Sequence, residues 1–297
     1  MALPFSSRNF RFAPSPNGYL HLGHAYSALL NFTLAKAAGG RFLLRIEDID
    51  LERCRPTYEQ AIHEDLNWLG LVFETPVRRQ SEHFSDYAAA LVRLSSLGLL
   101  YPCFCSRRDI LEAVSRRPGW PVDPDGALLY PGICKALSSA ARRRRLVSGE
   151  PANLRIDVQA ALAFVHQPLE WREFAPGLPS RMIAAEPTLW GDAIVSRKDI
   201  AASYHIAVVV DDALQGVTDV VRGEDLFLAT GLHRLLQVLL DLPPPSYHHH
   251  ALLRDASGRK LSKSARAKPL RALREEGWSP SEVKKRLSPA SVFVASA

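Results

Sequence analysis

The sequence predicts an α/β fold: a Rossmann-like parallel sheet forming a nucleotide-binding domain, an inserted α+β subdomain that holds zinc, and a short C-terminal helical segment. Three observations predict it. Apolar runs at 10–13 and 41–46 flank a helical stretch, and strand, helix, strand at that spacing makes a parallel pair. From Tyr101 the chain turns rich in Pro, Gly and Arg and carries Cys103, Cys105 and Cys134, until strand-like text resumes after about residue 190. Beyond Ser264 lie only residues 265–297, room for two short helices. The expected layout is 1–100 for the first half of the Rossmann-like domain, 101–190 for the insertion, 191–264 for the second half and 265–297 for the helical segment.

The first apolar run breaks at Pro14, Pro16 and Gly18 and leads into a helix from Ala25. A strand, a Pro/Gly turn and a helix aim a helix N-terminus past the carboxyl end of a strand. There the unpaired N–H groups and the positive dipole end favour a phosphate. His21 and His24 stand three apart at that point, so both can face one ligand. Two histidines beside a turn are by themselves more often structural, and the residues downstream tip the reading toward chemistry. Gly39-Gly40 stops the helix, 41–46 reads as a strand, and Glu47, Asp48 and Asp50 follow at its carboxyl end. Ligands of parallel sheets bind outside such ends, so Glu47 is expected to share a crevice with the HxGH turn. Asp48 and Asp50 suit helix capping equally well.

Helical spacing recurs at 56–70 (Ile62, Leu66, Leu69) and at about 85–98 (Tyr87, Leu91, Leu94). After the insertion, 203–210 reads as a β-branched strand stopped by Asp211-Asp212. A short helical piece precedes a strand at 217–221, whose carboxyl end presents Arg222; a leucine-rich helix follows and ends at Pro243-Pro244-Pro245. His248, His249 and His250 alternate along a further strand, cannot all face one metal, and read as structural. The turn holding Lys260, Ser262, Lys263 and Ser264 suits triphosphate charge, where a Lys/Ser loop alone is usually a solvated tip.

Composition bounds the partners. Hydrophobic content of 47% with 23% charged residues is that of a soluble globular chain. Lys plus Arg is 37 against 31 Asp plus Glu, a net charge of +6, which permits a nucleic-acid partner without demonstrating one. No apolar stretch reaches the roughly 18 residues of a membrane span, and Met1-Ala2-Leu3-Pro4 lacks the regions of a signal peptide. The chain reads as a cytoplasmic monomer with no membrane association. Cys103, Cys105 and Cys134 suit tetrahedral zinc with a fourth ligand from Tyr130 or a histidine such as His166; otherwise they are buried small hydrophobes. Cys54 reads as packed. The run Arg142 to Arg145 reads as a solvated helix face or a phosphate contact.

His21-Leu22-Gly23-His24 and Lys260-Leu261-Ser262-Lys263-Ser264 resemble the two signature motifs of class I aminoacyl-tRNA synthetases, HIGH and KMSKS, each with one apolar exchange. Arg11-Phe12-Ala13-Pro14-Ser15, Arg45-Ile46-Glu47-Asp48-Ile49-Asp50 and Val221-Arg222-Gly223-Glu224-Asp225 resemble the glutamyl subgroup, from about residue 9 to 265. With a C-x-C insertion and no anticodon-binding domain after the KLSKS loop, the chain is similar to the glutamyl-Q tRNA(Asp) synthetases. The resemblance implies tRNA-independent activation of L-glutamate by ATP with Mg²⁺, then transfer to the queuosine base at the wobble position of the tRNA(Asp) anticodon loop. It implies one structural zinc on Cys103, Cys105, Tyr130 and Cys134. His21, His24, Lys260 and Lys263 become catalytic, with His21, Gly23, His24 and Lys263 on ATP. Arg11, Phe12, Ala13, Pro14, Ser15, Glu47, Tyr204 and Arg222 become the glutamate pocket. Arg11 is the first choice for the side-chain carboxylate and Arg222 the second, with Glu47 on the α-ammonium and Tyr204 closing the pocket by a hydrogen bond. Three alternatives stay open: a truncated glutamyl-tRNA synthetase charging the 3′ end of tRNA(Glu), a non-catalytic tRNA-binding paralogue, and a small nucleotidyltransferase.

Overall fold

The computed structural model describes residues 8–255, 258, 261 and 267–287. Its elements run β1 (Asn9–Phe12), α1 (Leu22–Ala37), β2 (Arg41–Ile46), α2 (Pro56–Trp68), β3 (Glu74–Arg79), α3 (Phe84–Ser96) and β4 (Leu100–Cys103). Then come α4 (Arg107–Val114), α5 (Ser139–Val147), β5 (Asn153–Ile156), α6 (Val158–Phe164), β6 (Glu170–Ala175), β7 (Leu178–Ala184) and β8 (Ile194–Ser196). The described chain closes with α7 (Tyr204–Leu214), β9 (Asp219–Gly223), α8 (Ala229–Leu239), β10 (Ser246–His250), α9 (Leu270–Glu275) and α10 (Pro280–Arg286).

Seven strands form one sheet in the order β3-β2-β1-β9-β10-β6-β7, and β4-β5-β8 form a second, small one. All neighbours in the large sheet pair in parallel except β7, which runs antiparallel on β6. Parallel strands are covered on both faces, which is why β1 and β9 bury nearly every residue. One apolar cluster joins Phe10, Phe12 and Leu44 to Ala25 and Ala28 of α1, Ile62 and Leu66 of α2, and Leu270 and Val283 of the last two helices. A second gathers Leu91 and Leu94 of α3, Ile206 to Val210 of α7 and Leu232, Leu235 and Leu236 of α8, and a smaller third joins Leu43, Trp171, Val220 and Tyr247. From β1 the chain builds outward through β2 and β3, while β9 and β10 build the opposite way. The order therefore reverses between β1 and β9, where an open α/β sheet leaves its ligand crevice.

The stretch 203–210 is not a strand. Residues 204–214 form α7, with Ile206 through Asp212 all buried between the neighbouring helices. An apolar run enclosed on every side has no polar face to mark its period, so its valines read as β while tertiary packing makes it helical. β3, missed in the sequence because ETPVRR carries few apolar residues, pairs with β2 at the edge. The stretch 101–190 divides: β4 and β5 pair in the small sheet with β8, whereas β6 and β7 extend the large sheet beside β10. The last helices pack back beneath the HxGH turn, the Leu270 N–H donating to Leu20 O at 2.8 Å.

Candidate active site

At the switch point lies a cavity of about 1020 Å³. It is lined by Arg11 to Ser15 at and just beyond the end of β1, the start of α1, Glu47 after β2, Tyr204 of α7, Arg222 and Gly223 of β9, and His250, Leu252 and Leu253. Nearly all the residues expected for ATP and for glutamate meet here: Arg11, Phe12, Ala13, Pro14, Ser15, His21, Gly23, His24, Glu47, Tyr204 and Arg222. Lys260 and Lys263 lie outside the described residues. Leu261 between them is described and lines the same cavity.

The first turn of α1 explains the HxGH spacing. His21 is the N-cap, its Nδ1 accepting the Gly23 N–H at 3.1 Å, while His24 Nδ1 accepts the His21 N–H at 3.2 Å. The two imidazoles thus serve as a reciprocal capping box, a role usually taken by Ser and Glu. With Nδ1 accepting, a neutral ring carries its proton on Nε2, an N–H donor of the kind that pairs with a phosphate oxygen. Their rings lie 3.9 Å apart. Between them a Cβ on Gly23 would come within 2.9 Å of the His21 ring, so the motif needs glycine there. The first turn of α1 contains no acidic residue, which leaves the positive end of the helix open to an anion.

The two arginines of the cavity differ in their counter-charges. Arg11, buried on β1, donates from Nε to Asp212 Oδ1 at 3.0 Å. Asp212 also accepts from Arg45 Nη1 at 2.7 Å, and Arg45, fully buried, donates from Nη2 to Glu47 at 3.1 Å. Burial pushes the Asp212 carboxyl up, but Arg11 and Arg45 bring it below the usual range. Glu47 stays raised, because burial outweighs the pull of Arg45 and Arg11. Arg222, equally buried, has no carboxylate within 4.0 Å among the described residues. Its donors go to His249 Nε2 (3.2 Å), Thr230 Oγ1 (2.7 Å), Leu226 O (3.2 Å), His233 Nδ1 (3.3 Å) and Tyr204 Oη (3.4 Å). Every one of these acceptors is neutral. Burial, then the charge of Arg222, drives His233 well below its ordinary range and His205 beside it down to about 4. The cluster therefore keeps one buried positive charge with no carboxylate directly on it among the described residues, a charge that an incoming anion would compensate.

Neither Asp48 nor Asp50 caps the next helix, whose N-cap is Arg55 with no side-chain cap: Asp48 instead accepts from Ser81 N and Oγ at 2.8 and 2.6 Å, and Asp50 binds Arg53. Sequence reasoning missed Arg45, Asp212, Thr230, His233, Glu173 and His249. The only signal for Asp212 was its place at the end of an apolar run. His249 was hidden among three alternating histidines, of which His250 also lines the cavity.

Away from the cavity, Cys103, Cys105 and Cys134 place their sulfurs within 4.8 Å of one another, and all are free thiols. Tyr130 Oη lies 3.5 Å from Cys105 Sγ and accepts the Cys134 N–H at 2.6 Å. Three converging thiols and a phenol oxygen fit a tetrahedral metal. His166 is exposed and outside this group. Nearby, Arg142 is tied to the Cys134 and Lys135 carbonyls, and Arg145 to Glu150 and the Phe104 ring. Arg143 and Arg144 are left exposed.

Comparison with known proteins agrees with this geometry. The profile of the family described as tRNA synthetases class I (E and Q), catalytic domain, matches residues 9–287. The glutamyl-Q tRNA(Asp) synthetase of Rhodobacter capsulatus is 46% identical over 280 residues, covering 93% of this chain and 98% of that protein. That of Deinococcus radiodurans is 40% identical over 92% of this chain and 85% of its own length. Among solved structures, a glutamate tRNA ligase from Elizabethkingia meningosepticum in complex with its amino acid superposes with a TM-score of 0.71 at 26% identity, covering 87% of this chain. This chain spans 52% of that one. Family match, relatives and the arrangement at the switch point agree, and the chain belongs to the class I (E and Q) tRNA synthetase catalytic-domain family.

Proposed function

We propose that the chain is a ligase that activates L-glutamate with ATP, without tRNA, and transfers the glutamyl group to queuosine at the wobble position of tRNA(Asp). The observation that carries the amino-acid choice is Arg222: a buried guanidinium among neutral acceptors, beside a histidine-capped helix N-terminus, suits a substrate carrying a second carboxylate. The names of the relatives supply the acceptor.

An α-carboxylate oxygen attacks the α-phosphorus of ATP and the bond to the bridging oxygen breaks, releasing pyrophosphate and leaving glutamyl-adenylate. A carboxylate is already a nucleophile at neutral pH, so the protein's work is positioning and charge stabilisation. The Nε2–H groups of His21 and His24 and the N-terminal N–H groups of α1 meet the phosphates, joined by Lys260 and Lys263 of the KLSKS loop. Mg²⁺ would neutralise pyrophosphate oxygens. Arg222 and Tyr204 take the side-chain carboxylate, the Tyr204 hydroxyl being kept protonated by burial. Glu47 takes the α-ammonium, which would supply the compensation that its burial demands. Arg11 already holds Asp212 and acts on the reacting carboxylate through its remaining donors. A hydroxyl of the queuosine ring then attacks the acyl carbon and AMP leaves. Zinc on Cys103, Cys105, Tyr130 and Cys134 would order the cysteine-bearing segment, and Arg143 and Arg144 would meet backbone phosphates of the anticodon loop. The enzyme works as a cytoplasmic monomer; no helix among the described residues is long and apolar enough to cross a membrane.

The test is glutamate-dependent ATP–pyrophosphate exchange without tRNA, followed by transfer of labelled glutamate to tRNA(Asp) with and without queuosine. Label should appear only on the queuosine-containing tRNA and survive removal of the 3′-terminal adenosine. Label at the 3′ end of tRNA(Glu) would overturn the reading in favour of a glutamyl-tRNA synthetase.

A further inference from the structure

Next to Arg222, and outside the residues that line the cavity, three neighbouring strands carry a polar line across the sheet. His249 of β10 is the register partner of Arg222 on β9, and Tyr247, two residues earlier, is the partner of Glu173 on β6. The Glu173 carboxylate meets His249 twice, accepting its backbone N–H at 2.8 Å and lying 3.0 Å from Nδ1. It also accepts the Trp171 indole N–H at 3.0 Å. On its other side, His249 Nε2 faces Arg222 Nε at 3.2 Å and Thr230 Oγ1 at 3.1 Å.

The donor inventory leaves one arrangement. An ionised carboxylate only accepts, so His249 Nδ1 must carry the proton; a guanidinium only donates, so Nε2 must offer its lone pair. A ring with the opposite tautomer would set Nε2–H against the Arg222 Nε–H and Nδ1 against a carboxylate oxygen, two repulsions in a site where the His249 side chain is 3% exposed. We propose that Glu173 is a positioning residue for amino-acid recognition: it fixes the His249 tautomer, and the His249 lone pair in turn orients the Arg222 guanidinium toward the cavity. Glu173 is one imidazole removed from the guanidinium, so it sets the orientation while leaving the positive charge for substrate. The proposal rests on the reading of Arg222 as the carboxylate-binding group.

Glutamine at 173 supplies one accepting oxygen to the three donors that converge there, and its NH₂ group opposes one of them. In the full-length Glu173→Gln protein, the glutamate KM in ATP–pyrophosphate exchange should rise about tenfold or more with the ATP KM within about twofold, the size of effect typical for a partner behind a ligand-binding group. His249→Leu should raise the glutamate KM likewise. Adding Glu173→Gln to His249→Leu should then change it no further, because the carboxylate acts through the ring. The tautomer is read directly in the unmodified protein by ¹⁵N-histidine NMR, which needs no variant to fold; a protonated Nδ1 with a hydrogen-bonded Nε2 lone pair is expected at His249. An Nε2–H tautomer in the unmodified protein would overturn the proposal. So would an unchanged glutamate KM in Glu173→Gln, or fully additive effects in the double variant. Absence of glutamate-dependent exchange in the unmodified protein would instead refute the reaction assigned above, while the NMR result still decides between the two tautomers.

Discussion

Replacing Arg222 by methionine should remove amino-acid discrimination with little charge-driven damage to the fold. The magnitude follows from the surroundings of the guanidinium, which is 5% exposed and has neutral acceptors on every donor. A carboxylate about 4 Å away at an effective dielectric of about 20 is attracted by about 4 kcal/mol. Desolvating the incoming carboxylate cancels part of this, leaving about 2–4 kcal/mol. Arg222→Met should therefore lower kcat/KM for glutamate by about 30- to 1000-fold, and the preference for glutamate over glutamine should shrink by a similar factor. Glutamine has the same shape and lacks only the charge, so size exclusion cannot maintain the preference. Stability should fall only modestly, because the variant leaves hydroxyls and imidazoles behind instead of unpaired ions, and Thr230 and His249 still lie 3.1 Å apart. The assay is ATP–pyrophosphate exchange with each amino acid, alongside thermal unfolding. A variant that kept its glutamate preference and a kcat/KM within about fivefold of the unmodified enzyme, well inside the range just derived, would refute the assignment.

Arg45→Met should do the reverse. It strips the fully buried Arg45 from Asp212 and Glu47, leaving carboxylates without their cation at a cost of about 3–5 kcal/mol; a melting temperature lower by about 6 °C or more is expected, and an unchanged one would deny the pairing. Cys103→Ser should reduce bound zinc, measured by metal analysis after purification without chelator, from about one per chain to a trace, and should lower thermal stability. Glutamate-dependent exchange should persist, since the thiols lie outside the cavity; full zinc content in the variant would reject that ligand set. Asp65 is buried with no hydrogen-bond partner for either oxygen among the described residues, and burial raises its carboxyl to about 6. The folded state then holds a proton that the unfolded state, near 3.8, has released, so the stability contributed by Asp65 is lost as pH rises from about 4 to about 6. Asp65→Leu should unfold on the order of 1–2 kcal/mol less readily than the unmodified protein at pH 7, discounted for partial solvent access, and the gain should disappear near pH 4 in urea titrations. A gain independent of pH would assign it to packing alone.

The parts of the site legible in the sequence were those that depend on local chain direction. The strand ending at Phe12, the Pro/Gly turn and the helix beginning at Leu22 could be read because each stage has its own residue signature, and together they place His21 and His24 at a helix start. Glu47 could be read because β2 ends just before it. What could not be read depends on how distant elements meet. Val208 to Val210 look like strand residues because burial on all sides erases the polar stripe that betrays a helix. β6 was lost within an arginine- and proline-rich stretch because its alternation of buried Trp171 and Glu173 with exposed neighbours is too short to stand out.

The misread helix also bears on which arginine binds substrate. As a strand, 203–210 would have ended with Asp211 and Asp212 on the ligand side of the sheet, free to serve a cation in the crevice. As α7 it buries both aspartates. Asp212 holds Arg11 and Arg45, while Asp211 accepts from Arg78 Nε at 2.7 Å, Gln80 Nε2 at 2.8 Å and Tyr87 Oη at 2.9 Å. The same helix begins with Tyr204 and His205, so its other end delivers only neutral groups to the surroundings of Arg222. One buried helix thus compensates the arginine of β1 and leaves the arginine of β9 uncompensated. The sequence, which places both arginines at strand ends, ranks Arg11 ahead of Arg222 for the substrate's side-chain carboxylate; the charges contributed by α7 favour the opposite order.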